Sequence, residues 1–237
     1  MSDDHGHEAE PQHGHDSLLA LLEGVKDFGV RVFPEKAALF NDLAKEGQSP
    51  HTLFIACADS RVSPGMITQQ PPGEMFVLRN IGNIVPAYGE MLGGVSAAIE
   101  YAVVALEVRN IIVCGHSDCG AMKALLDPDK YRLDTMPTVS GWLRNAEAAR
   151  AVTTALHPGA EGAHAVSVLA EQNVLLQLDH LRTHPAVAAR MAEGRLMLQG
   201  WLYDIASGSI QVFDGRTRRP RTLDEALAAL RASGAAA

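Results

Sequence analysis

Two short stretches carry residues able to do chemistry. The first, Cys57-Ala58-Asp59-Ser60-Arg61, follows the apolar run Leu53-Phe54-Ile55-Ala56, which reads as a buried strand. The second repeats that grammar, with Asn110-Ile111-Ile112-Val113-Cys114-Gly115 running into His116-Ser117-Asp118-Cys119-Gly120. Each sets soft metal ligands where a strand gives way to a loop. Cys57, His116 and Cys119 offer two thiolates and an imidazole, the ligand set of an open catalytic zinc site. The His-x-x-Cys spacing lets one turn grip an ion, and Cys57 completes the set from an adjacent strand. Such a site keeps one position for water and makes a metal-bound hydroxide nucleophile.

Asp59 and Arg61, two apart on what reads as an extended segment, leave the same face. A guanidinium can hold a carboxylate in bidentate fashion and keep it ionised. An ionised Asp59 can accept a proton from metal-bound water and orient the hydroxide. The plainer alternatives are a structural ion pair and two cysteines acting as small buried hydrophobes. Cys114 lies inside the apolar run and reads as core.

The surrounding pattern must position these groups. Strands are expected at about 52–58, 75–78, 110–115, 195–205 and 210–213, the last as an antiparallel edge strand. Helices are expected from Ser17, after Pro34 as far as Gly47, and from Pro64 with Ser63 as N-cap. Further helices fall at about 94–108, 121–126, 138–151, 163–183, just before Gly194, and 223–232. Strands alternating with helices imply an α/β fold with a mainly parallel sheet flanked by helices. In such a sheet ligands collect at the carboxyl ends of strands where the strand order reverses. Residues 1–16, with His-Gly-His at His5–His7 and His13–His15, are expected as a disordered tail able to bind metal loosely. Residues 17–237 are expected as one α/β zinc-enzyme domain, with 17–46 a helical arm.

Composition narrows the class. Among 237 residues, 20 are basic and 28 acidic, giving a net charge of −8 that argues against a broad nucleic-acid surface. No stretch approaches the roughly 18 apolar residues of a membrane span. Met1-Ser2-Asp3-Asp4 resembles neither a secretory signal nor a basic transit peptide. Three cysteines make no disulfide framework, and free thiols fit a reducing cytoplasm.

The paired motifs, with Phe76-Val77-Leu78-Arg79-Asn80-Ile81-Gly82-Asn83 between them, resemble a β-class carbonic anhydrase. The resemblance runs from about Gln48 through Gly120 and more loosely to Gly200–Asp204. It implies Zn2+ on Cys57, His116 and Cys119, and reversible hydration of carbon dioxide to bicarbonate and a proton. Two thiolates donate more charge than imidazoles, so activity is expected to favour alkaline pH. The resemblance to the plant-type subclass implies a substrate pocket of Gln48, Phe76 and Tyr101, with a backbone N–H from Gly120. A bicarbonate-inhibited subclass has tryptophan where this chain has Phe54, although Arg79 and Tyr203 match that regulatory site. Asp59, a conditional fourth ligand in the regulated form, is therefore expected to stay paired with Arg61 at neutral pH. Relatives form dimers or larger assemblies, so a homodimer or higher homo-oligomer is expected, with Phe76 and Tyr101 able to face zinc from the neighbouring chain.

Two other functions compete: the same site acting on carbon disulfide or carbonyl sulfide, and a zinc-stabilised binding protein without activity. His180 and His184, four apart on a helix, lack the Glu of a His-Glu-x-x-His protease motif and read as solvated or packed helix residues. Glu161 and His164 read the same way.

Overall fold

The computed structural model describes residues 10–89 and 93–234. The chain forms two compact units, Met1–Gln48 and Ser49–Ala237. In the first unit a helix spans Glu10–Asp27 and another spans Ala37–Glu46, joined through a π-helical turn at Phe28–Val32 and the short Phe33–Glu35 helix. The first helix therefore takes in Glu10 to Asp16 of the expected tail, while His5–His7 lie outside the described residues. Phe28, Phe33 and Phe40 pack ring against ring at 5.5–6.1 Å. Leu18, Leu21, Leu22 and Val25 are 58–69% exposed, so the apolar stripe of this helix has no cover among the described residues.

The second unit is built on a six-stranded sheet in the order β2-β1-β3-β4-β5-β6. Its strands are β1 Thr52–Cys57, β2 Met75–Asn80, β3 Asn110–His116, β4 Met197–Tyr203, β5 Ile210–Asp214 and β6 Pro220–Arg221. The first four run parallel, β5 runs antiparallel to β4, and β6 antiparallel to β5. The expected edge strand at 210–213 is thus next to last. The edge belongs to β6, whose two residues and proline give little for another chain to pair with.

Every residue of β1 is buried, which explains its unbroken apolar run: helices cover both faces of a parallel sheet. Leu53 and Ile55 point into one core with Ile111, Val113, Val174, Leu178 and Leu181. Phe54 and Ala56 point to the other, with Cys114 and Val62. The chain leaves β1 for β2 on one side and returns to β3 on the other, so the strand order reverses at the β1–β3 pair. Cys57 ends β1 and His116 ends β3 at that crevice.

The longest helix, Gly162–Thr183, packs on β3 and β4 unusually closely. A Cβ at Gly200 would stand 2.5 Å from Val174 Cγ1, and one at Gly115 would stand 2.7 Å from Val174 Cγ2. Only hydrogen at both positions admits Val174.

Elsewhere the structure refines expected boundaries. The helix expected over 94–108 is α-helical only for Gly94–Glu100 and widens to a π-helical turn at Tyr101–Ala105. The stretch 138–151 divides into Pro137–Leu143 and Glu147–Leu156 around a 3₁₀ turn. Pro64 does open its helix, but the Ser63 side chain makes no capping bond.

Candidate metal centre

At the β1–β3 crevice Cys57, His116 and Cys119 are all buried, and one ligand atom from each lies within 4.8 Å of the others. A tetrahedral zinc at ordinary bond lengths separates such donors by roughly 3.6–3.8 Å, which fits inside that span. The His116 ring supports the same assignment. Its Nδ1 donates to the Ser117 carbonyl at 2.8 Å, which assigns the proton to Nδ1 and leaves a lone pair on Nε2. That Nε2 is buried without a hydrogen-bond partner, a costly state for a polar atom unless a metal ion engages it.

The sulfurs respond to each other. A hydrogen bond from the Cys119 thiol is the main cause that lowers the Cys57 pKa, against the effect of burial. Backbone N–H groups of Asp59 and Gly82 also favour the Cys57 thiolate. Cys119 is correspondingly held well above its ordinary value, by its bond to Cys57 and by burial. Burial opposes charge on His116, yet the neighbouring Cys57 thiolate raises its pKa overall. Cys114, on the other side of the sheet, is pushed up to about 12 by burial alone, as befits a core residue.

Asp59 lies between the cysteine and the arginine in a turn, not on an extended segment: Val62 N–H donates to the Asp59 carbonyl at 2.9 Å. The turn brings Arg61 over the carboxylate. Arg61 Nε donates to Oδ1 at 2.9 Å, Nη2 to Oδ2 at 2.8 Å, and the Arg61 backbone N–H to Oδ1 at 3.0 Å. These bonds from Arg61 hold the Asp59 carboxyl far below the usual carboxylate range despite some burial. Asp59 Oδ2 also stands 3.8 Å from His116 Nε2. Arg61 reaches the second ligand loop as well, with Nη1 donating to Asp118 Oδ2 at 3.0 Å. Asp118 in turn pairs with Lys123.

Arg79, considered from sequence only as part of a regulatory site, braces the first loop. Its Nε donates to the Cys57 carbonyl at 3.1 Å and its Nη2 to the Asp59 carbonyl at 2.6 Å. Its position opposite Ala56 in β2 is the signal that could have revealed this reach.

Of the substrate residues inferred by resemblance, Phe76 lies back along the sheet from the metal ligands. Phe76 and Tyr101 face each other at 6.0 Å between ring centroids. Phe76 pairs in register with Leu53, four residues before Cys57, about 13 Å along the strand from the metal ligands. Tyr101 is 51% exposed. Gln48 is exposed and is the last residue of the first unit. Gly120 directly follows Cys119 and opens the helix Gly120–Leu126.

His180 and His184, which read from the sequence as solvated or packed helix residues, are packed and fasten the loop after β2. His180 Nδ1 donates to the Val85 carbonyl at 2.7 Å, and His184 Nε2 to the Pro86 carbonyl at 3.1 Å. The Tyr88 N–H donates to Thr183 Oγ1 at 2.8 Å.

A parallel sheet carrying a buried Cys-His-Cys group at its switch point defines an α/β protein built around a candidate metal centre. The family model described as carbonic anhydrase matches residues 52–210. A carbonic anhydrase of Pseudomonas aeruginosa is 51% identical over 205 residues, covering 86% of this chain and 91% of that protein. The structure of the β-carbonic anhydrase CcaA superposes with a TM-score of 0.84 at 42% identity, over 87% of this chain and 92% of that one. One of two tetrameric β-carbonic anhydrases from Sordaria macrospora gives 0.72 at 28% identity, over 83% and 96%. The chain is an enzyme of the β-carbonic anhydrase family. Among the described residues no helix is long and apolar enough to cross a membrane.

Proposed function

We propose that this chain hydrates carbon dioxide reversibly to bicarbonate and a proton, using zinc on Cys57, His116 and Cys119. The observation that carries the reading is the buried, unpartnered His116 Nε2 within 4.8 Å of two cysteine sulfurs, with Asp59 beside it. Zinc held there would supply a Lewis acid that makes water nucleophilic near neutral pH.

The chain's own residues do the rest. Arg61 keeps Asp59 ionised, so the carboxylate accepts hydrogen bonds and does not donate them. Arg61 occupies Oδ1 twice and Oδ2 once. That leaves Oδ2, the oxygen nearer His116, free to accept the proton of a water at the centre and aim its lone pair at the substrate. Arg79 holds the backbone on which both Cys57 and Asp59 sit. Carbon dioxide carries no charge to grip, so an apolar wall suits it, and Phe76 with Tyr101 provides one. Since these rings lie down the sheet from their own chain's centre, they serve the centre of a second copy in a homodimer or larger assembly. The Gly120 N–H would hydrogen-bond a bicarbonate oxygen.

Stopped-flow hydration with zinc measured on the same samples tests the reading. Wild type is expected to be active with one zinc per chain, and Cys119→Ser to lose both. Full activity in metal-free protein, or turnover of carbon disulfide without turnover of carbon dioxide, would overturn it.

A further inference from the structure

Arg61 presents two donor edges. Its side edge, Nε with Nη2, grips the two oxygens of Asp59 at 2.9 and 2.8 Å. Its end edge, Nη1 with Nη2, meets the second ligand loop. There Nη1 donates to Asp118 Oδ2 at 3.0 Å and Nη2 to the Asp118 carbonyl at 3.4 Å. Four of the five guanidinium N–H groups are thereby engaged, on two loops 57 residues apart in the chain. A planar group held along two edges cannot turn without breaking one of them.

Asp118 is itself held. It stands between His116 and Cys119 with φ +58°, a left-handed conformation that Asp adopts more readily than most residues. Ser117, just before it, is fastened to the end of β4: its N–H donates to the Tyr203 carbonyl at 2.8 Å, and its Oγ accepts from the Ile205 N–H at 2.9 Å. The Asp118 carboxylate is shared between two cations, Oδ2 taking Arg61 and Oδ1 taking Lys123 from the helix Gly120–Leu126. The Arg61 and Asp118 side chains are 44% and 53% exposed, and ion pairs this wet add little to stability. What the pairing supplies is geometry.

We propose that Asp118 is a positioning residue for hydration: by holding the end edge of Arg61 it aims the side edge at Asp59 and keeps Asp59 Oδ2 turned toward the centre. Its negative charge is not what matters, because losing that charge leaves the attraction of Arg61 for Asp59 undiminished. The acceptor oxygens matter, because without them the guanidinium is free to swing. This inference rests on the reading of Asp59 as the proton acceptor given above.

The test is stopped-flow hydration by the full chain, with zinc measured on every sample. Asp118→Gly accepts the left-handed backbone and removes the carboxylate, and is expected to lower kcat/KM by about 10–100-fold with zinc retained. Asp118→Asn keeps an acceptor for Nη1 and removes only the charge, and is expected to retain most of the wild-type rate. In Arg61→Met there is no guanidinium to hold, so adding Asp118→Gly is expected to lower the rate no further. Should Asp118→Gly fail to fold, Asp118→Ala in the same two backgrounds carries the comparison. The inference is overturned by a wild-type rate in Asp118→Gly, by loss of its zinc, by an Asn variant as impaired as the Gly variant, or by losses that multiply in the double variant. Wild-type protein that hydrates carbon dioxide without zinc, or not at all, overturns the functional reading itself, and this inference with it.

Discussion

Asp59 Oδ2 stands 3.8 Å from His116 Nε2, and the same carboxylate is held through both its oxygens by Arg61. The pairing makes Asp59 an acceptor at the edge of the metal centre. Asp59→Asn keeps the shape and removes the acceptor, so hydration is expected to fall by about 10²–10⁴-fold with zinc content unchanged. Arg61→Lys, which cannot reproduce the bidentate grip, is expected to lose activity in the same direction. Loss of zinc from Asp59→Asn would make Asp59 a structural support instead.

The three cysteines should differ in reactivity. Cys57 and Cys119 end at the centre, whereas Cys114 is fully buried with its pKa pushed up to about 12. Since the thiolate is the reactive form, a disulfide reagent is expected to find no fast thiol in zinc-loaded protein. After chelation it should find Cys57 first, with Cys119 slower because its bond to Cys57 and burial keep it a thiol, and Cys114 should react only on unfolding. Mass spectrometry of the labelled peptides checks the order.

Burial holds the His184 pKa below its ordinary value, more than the bond to Pro86 restores it, and His180 adds repulsion. The folded state thus resists a proton that the unfolded imidazole accepts. The stability involved is fully present above the unfolded pKa of about 6.5 and declines as pH falls below it. Between pH 7.5 and 5.5 wild type is expected to lose more stability than His184→Gln, with a difference in slope of at most about 1.4 kcal/mol per pH unit. Urea midpoints at the two pH values measure it, and equal slopes would contradict it.

Gly200→Ala places a methyl group 2.5 Å from Val174 Cγ1, and a buried β-branched side chain has little room to turn away. Destabilisation of about 1–3 kcal/mol is expected, with partial recovery in Gly200→Ala/Val174→Ala. Denaturant titration of the single and double variants reads the coupling.

If Phe76 and Tyr101 serve a second copy's centre, each active site draws on two chains. Cys119→Ser and Phe76→Ala are each expected to be impaired alone. Mixed and reassembled, they should regain activity, because one site in a mixed pair has both an intact metal centre and an intact wall. Absence of recovery in verified mixed assemblies would return Phe76 to its own chain's core.

Much of this protein was legible without coordinates. Cys57, His116 and Cys119 announce themselves because soft ligands at strand ends are rare, and alternation of strands and helices leaves few ways to arrange a parallel sheet. The order reversal at β1 and β3 follows from that pattern, and it brings the ligands together. The Asp59–Arg61 pair was equally visible, although its turn was not, since a two-residue spacing is compatible with a strand or a bend.

Other assignments depended on which polar residues lose contact with water. Asn173, Gln177, His180 and His184 have helical spacing that suits a solvated face as well as a buried seam. Only the packing of Val174 against Gly115 and Gly200 turns that seam toward the loop after β2. Arg79 likewise reads as an ordinary strand residue until the sheet register brings it to the carbonyls of Cys57 and Asp59. Local residue types determine which chemistry is available, because ligand strength and charge belong to single side chains. Burial and reach belong to pairs of elements far apart in the chain, and only the assembled tertiary structure decides them.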